Sequence, residues 1–158
     1  MDIKFKKILT KGMTISELLV VLGILVVLVA IVLGAFTSFR KNSSFDNDIK
    51  LMMETLREAR SQTLSSQNAS QYGVHFENTK ITLFVGDVYS VSNSTNRNFD
   101  LSSTDISLAF SLNGGGNDIV FKRLTGGTAQ SGTITISSPS LSKTKIITIY
   151  RTGLIESQ

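Results

Sequence analysis

The sequence predicts an α+β chain. A long N-terminal α-helix, membrane-spanning in its first half and amphipathic in its second, packs on a C-terminal antiparallel β-sheet head. Three observations predict this. Residues 18–36 are 19 consecutive positions without a charge or a strong polar group. Between residues 45 and 64 the apolar side chains recur mostly at three, four and seven, the period of an amphipathic helix. After residue 70 the apolar period falls to two, and glycine- and serine-rich breaks separate short runs, as in strands and turns.

The first twelve residues carry Lys4, Lys6, Lys7 and Lys11 against Asp2, a net +3 of the chain's +4. A basic flank before an apolar span keeps that end in the cytoplasm. Residues 1–12 therefore read as a leader, and the remainder, at about +1, is close to neutral. Its overall charge gives no support to nucleic-acid binding.

Residues 13–38 read as the span. As a helix rising about 1.5 Å per residue, the uncharged run is roughly 28 Å long, close to the ~30 Å hydrocarbon core of a bilayer. Leu, Val and Ile cover every face, where a water-soluble helix would keep a polar stripe. Glu17 opens the run. A carboxylate at the edge of a span costs on the order of 1–3 kcal/mol and is normally functional. A snorkelling interfacial acid is the plain alternative. An ordinary secretory signal cut after Gly34 is the competing reading of the whole stretch. The length of the apolar run and its opening acid speak against it.

The order Gly12-Met13-Thr14-Ile15-Ser16-Glu17-Leu18-Leu19, followed by the apolar helix, resembles the prepilin-type cleavage and methylation motif of type IV pilins and type II secretion pseudopilins. The resemblance covers residues 11–36. It implies cleavage between Gly12 and Met13 by a prepilin peptidase and N-methylation of Met13. It also implies that Glu17 guides assembly by pairing with the Met13 amine of a neighbouring copy. Two positions depart from the family pattern. Met13 stands where Phe is usual, and Gly34 stands where a helix-kinking Pro is usual.

Residues 39–70 continue as the amphipathic outer part of the helix. Phe45, Ile49, Met52, Met53, Leu56, Ala59 and Leu64 form its apolar face, read as core. Glu54 and Glu58 are spaced to pair with Arg57 and Arg60 on the other face. Asn42, Ser43 and Ser44 are poor helix formers and predict a weak point at 40–44.

Residues 71–158 form the β-rich head. Strands are predicted at 72–76, 81–85, 106–112, 118–124, 132–137 and 145–150, with a turn at 151–153 and a short last strand. Breaks fall at Asn78, at 114–117, at Gly126-Gly127 and at 138–140, and residues 89–98 read as an exposed loop. The series 121–127, 132–136 and 146–153 resembles the end of the GspH/FimT-type minor pilin domain, and the whole implies a type IV pilin-like fold. Some relatives bind DNA through basic residues around the last glycine. Here Gly153 is followed by Leu154, Ile155 and Glu156, so DNA binding is not carried over.

Enzymatic chemistry finds little footing. There is no Cys, hence no disulfide and no thiolate metal site. The single His75 excludes a multi-histidine metal site and has no partner legible in sequence. Gly114-Gly115-Gly116 lacks the Lys-Ser/Thr of a P-loop and reads as a turn. The aspartates lack calcium-loop spacing. No enzyme, catalytic residue, metal or cofactor is expected.

The resemblance implies a structural subunit, a minor pilin or pseudopilin of a type IV pilus or type II secretion filament. Its partners would be the peptidase, other pilin subunits through the N-terminal helix, an assembly platform protein and the inner membrane. It would cross the cytoplasmic membrane once with its C-terminus outside, and lie in a periplasmic or extracellular filament after assembly. The alternative is a membrane-anchored extracellular ligand- or DNA-binding module that does not polymerise.

Overall fold

A computed structural model describes residues 12–158; residues 1–11, which make up most of the leader expected at 1–12, lie outside the described part. One helix, α1 (Ile15–Leu64), is followed by eight strands: β1 (Tyr72–Phe76), β2 (Lys80–Val85), β3 (Arg97–Asp100), β4 (Ser107–Leu112), β5 (Asp118–Val120), β6 (Gly132–Ser138), β7 (Lys143–Ile149) and β8 (Ile155–Ser157). The chain divides into two compact units, one ending at Phe39 and the other running from Arg40 to Gln158.

Within the first unit the helix is apolar from Leu18 to Phe36. An 18-residue window reaches a mean hydropathy of 3.3, with none of it buried. Val21, at 45% exposure, and Val32, at 65%, lie on a surface that none of the described residues covers. That makes the segment a candidate membrane span. Gly34 stays helical, and Thr37 Oγ1 and Ser38 Oγ donate to its carbonyl at 2.9 and 3.4 Å.

In the second unit helical hydrogen bonding runs through residues 40–44 despite their poor propensity. The apolar stripe that follows buries Phe45, Ile49, Met52, Leu56 and Ala59. Met53 is half-buried and Leu64 is 42% exposed, so neither joins the fully buried set. Full burial of a side chain such as Phe45 or Leu56 stabilises by about 1.5–3 kcal/mol.

The head holds two antiparallel sheets where the sequence predicts one. Their strand orders are β3-β2-β1-β5 and β4-β6-β7-β8. One core unites the helix stripe with both sheets. Tyr72, Val74, Phe76, Ile81 and Ile119 come from the first sheet, and Ile134, Ile136, Ile147, Ile149 and Ile155 from the second. Alternation fixes the register. Ile134 and Ile136 of β6 face inward, opposite Ile147 and Lys145 of β7, while Thr133 and Thr135 are only partly buried.

Three expectations need correction. The strand predicted at 118–124 ends at Val120. Phe121 makes a single bridge to Thr128, and Leu124, at φ +68°, turns the chain outward. Residues 97–98, read as loop, open the edge strand β3, which pairs Arg97 with Leu83 and Phe99 with Ile81. Its side chains are mostly polar, so no apolar alternation marks it. Glu58 does not serve the helix pairing expected of it. It meets Arg97 of β3 and accepts a hydrogen bond from Gln62 at 2.8 Å. Arg60 is also drawn to the head: its Nε donates to the Gly126 carbonyl at 3.2 Å and its Nη2 to the Thr152 carbonyl at 3.4 Å.

Gly153 is set by that same junction. It sits at φ +78°, and a Cβ there would collide with the Gly126 carbonyl oxygen and meet Arg60 Nε at 2.7 Å. Only glycine fits both the backbone conformation and the space.

Asp48 is the helix residue that sequence patterning missed. It lies on the apolar stripe between Phe45 and Ile49 and is 2% exposed. Its two carboxylate oxygens accept the backbone N–H of Ser102 and of Ser103, each at 2.8 Å. Asp48→Ala leaves two donors without their acceptor. Chemical denaturation of the full chain should show a loss of about 2–4 kcal/mol, and a loss below about 0.5 kcal/mol would remove this anchoring role.

Candidate functional site

The residues singled out in the sequence gather at the start of α1. Gly12 and Met13 are exposed and non-helical. A Cβ built on Gly12 meets nothing within 4 Å. Packing among the described residues therefore does not demand glycine there. Thr14 caps the helix. Its carbonyl accepts the Leu18 N–H at 3.1 Å, and its Oγ1 accepts the Glu17 N–H at 3.3 Å. Thr14-Ile15-Ser16-Glu17 is thus a T-x-x-E capping sequence with Glu17 at the third helical position. This spacing was legible in the sequence. It gives Glu17 a local role beside the intermolecular one that the resemblance implies, since a carboxylate is also favoured at the positive end of the helix dipole.

From Glu17 onward the exposed surface is apolar, from Leu18 at 50% to Phe36 at 61%. A single chain leaves this surface uncovered. A surface of this kind suits a membrane-spanning segment, for which this helix is a candidate.

No protein-family model, curated protein or solved structure matches this chain.

The head carries two further polar clusters, both assembled by strand register and hence invisible in linear sequence. His75, read as partnerless, sits opposite Asp118 across β1 and β5. Its Nδ1 lies 2.5 Å from Asp118 Oδ1, and its Nε2 lies 3.5 Å from Glu77 Oε1. The ring stacks on Tyr89 at 3.8 Å and 11°. The two carboxylates lie on opposite nitrogens, which suits stapling β1, β5 and the 86–96 segment together rather than chelation. Among the described residues no group of three or more His, Cys, Asp or Glu is placed to hold a metal ion.

Asp105 anchors the second cluster. Its Oδ2 accepts Ser138 Oγ at 2.8 Å and the Ser140 N–H at 3.2 Å. Hydrogen bonds from Ser140 and Ser138 hold its carboxyl below the usual carboxylate range. The stabilisation this implies is present above the unfolded carboxylate pKa and is lost as pH falls through the lowered one. Tyr150 shows the opposite shift. Its hydroxyl donates to Glu156 Oε2 at 3.0 Å, and that hydrogen bond, with the carboxylate charge, raises its pKa.

Proposed function

We propose that the chain is a structural subunit, a minor pilin or pseudopilin of a type IV pilus or type II secretion filament, with a type IV pilin-like fold. In this reading a prepilin peptidase cuts between Gly12 and Met13 and the Met13 amine is methylated. The apolar helix is stored in the cytoplasmic membrane with the C-terminus outside. An assembly platform protein then passes it into a filament beside other subunits. The observation that carries this reading is the order of parts: an open Gly12-Met13 bond, Glu17 in the first turn, and an uncovered apolar helix leading into a head. The drive for transfer is close helix packing, because lipid is already as apolar as the helix. Pairing of Glu17 with a neighbour's Met13 amine removes an uncompensated charge from a low-dielectric setting.

The absence of native cysteine makes the test clean. Single cysteines placed along the apolar run, for example Leu22→Cys and Val29→Cys, are oxidised in intact cells. The expected product is a disulfide-linked dimer through the spans of two copies of this chain, or a mixed dimer with a companion pilin subunit that is given a matching cysteine in its own span. A chain that stays monomeric at every position would favour the other reading, a membrane-anchored binding module that does not polymerise.

A further inference from the structure

Where the second unit begins, a recess of about 310 Å³ opens between the first turns of its helical segment and the loops after β3 and β6. That is within the size range of small-ligand sites. Arg40 and Lys41 line one part of it. Neither makes an ion pair among the described residues. Hydroxyl side chains of Ser44, Ser103, Thr104 and Ser140 line the rest. The Ser103 hydroxyl is buried with no hydrogen-bond partner, an arrangement that normally signals a missing ligand or water. Asp105 also borders the recess, and its carboxylate accepts hydrogen bonds but has no cationic partner among the described residues.

Two cations, a set of hydroxyls and one carboxylate, with the charges not paired to one another, match a ligand that carries both signs. The cations and hydroxyls suit a phosphate, and the carboxylate suits an ammonium with N–H donors. The position in the sequence points to the source. Arg40 comes four residues after the end of the uncharged run, where basic side chains meet lipid headgroups. We propose that this recess holds the headgroup of a zwitterionic phospholipid, with its phosphodiester on Arg40, Lys41 and the hydroxyls and its primary ammonium on Asp105. The proposal rests on the membrane-spanning reading of residues 18–36.

The test uses the full chain in neutral-detergent micelles and follows hydrogen exchange of the peptide covering residues 101–106. Short-chain phosphatidylethanolamine should slow that exchange by about threefold or more. Phosphatidylcholine, whose ammonium has no N–H, and inorganic phosphate should not. Arg40→Gln with Lys41→Gln should abolish the effect. Ser103→Ala has no hydrogen bond to lose, so it should weaken the effect and leave the thermal midpoint unchanged. Equal slowing by phosphatidylcholine would show micelle incorporation only, and equal slowing by inorganic phosphate would make the ligand a free anion. Either result, or no slowing at all, overturns the proposal. Alkaline extraction of cell membranes tests the underlying reading separately. A chain that stays in the pellet yet shows no slowing loses only the headgroup site, whereas a chain released to the supernatant loses the span.

Discussion

Replacing Gly12 by Leu should leave the chain in the membrane with residues 1–12 still attached, while the unaltered chain should start at Met13 if the proposed processing takes place. The expected fall in cleavage is about 100-fold, the scale on which a misplaced scissile bond loses rate. The structure makes the substitution informative because it separates folding from processing. A side chain at Gly12 meets nothing among the described residues, and the helix cap at Thr14 lies two residues on. A folding defect is therefore not expected, and the span and head should be recovered in normal amounts. Intact-mass measurement of membrane-extracted protein reads the result directly. Cleavage of Gly12→Leu at the normal site in normal yield would refute the glycine requirement. An unaltered chain that keeps its lysine-rich start would remove the processing step itself. A mature chain starting at Ala35 would turn the apolar run into an ordinary secretory signal.

Much of the architecture was legible because it rests on periodicity. The uncharged run is a statement about composition and the Phe45-Ile49-Met52-Leu56 stripe one about spacing, and the helix buries that stripe while Met53 and Leu64 stay partly or largely exposed. Strands β1, β2, β4 and β6 were found for the same reason, since their alternation survives in the linear sequence. What failed depends on contacts between distant residues. The edge strand β3 is held by the ladder to β2 and by Arg97 meeting Glu58, and neither leaves an apolar pattern. The division into two sheets is a matter of which strands pair, which alternation does not encode. His75 with Asp118, and Asp48 with the Ser102 and Ser103 amides, join residues 43 and more than 50 positions apart. Asp48 did leave a trace, as an acid set on an apolar helix face between two core residues. The T-x-x-E spacing at Thr14 stands in the linear sequence but only the hydrogen bonds of Thr14 identify it as a cap, and it changes how the most informative acid of the chain is read.

That acid is the subject of the second large effect. Glu17 holds the third position of a capped helix, and it is also the carboxylate expected to meet a neighbour's Met13 amine. Glu17→Ala alone cannot separate the two roles, because it removes both. Glu17→Gln can, since glutamine serves a capping sequence as glutamate does but carries no charge. The observed cap bond uses the Glu17 backbone N–H and survives both substitutions, so the local loss is the carboxylate's dipole contribution, about 0.3–1 kcal/mol on the first turn of one chain. Loss of a charge partner in a low-dielectric contact is larger, about 3–5 kcal/mol, because the amine is left uncompensated. At about 1.4 kcal/mol per tenfold, the second cost reduces incorporation into filaments by more than 100-fold, and the first by less than tenfold. Both variants should therefore insert into the membrane normally and both should be lost from sheared or crosslinked assemblies, with Gln as deficient as Ala. Assembly of Glu17→Gln at the unaltered level, with Ala mildly reduced, would assign Glu17 to the helix cap and leave filament contact to apolar packing.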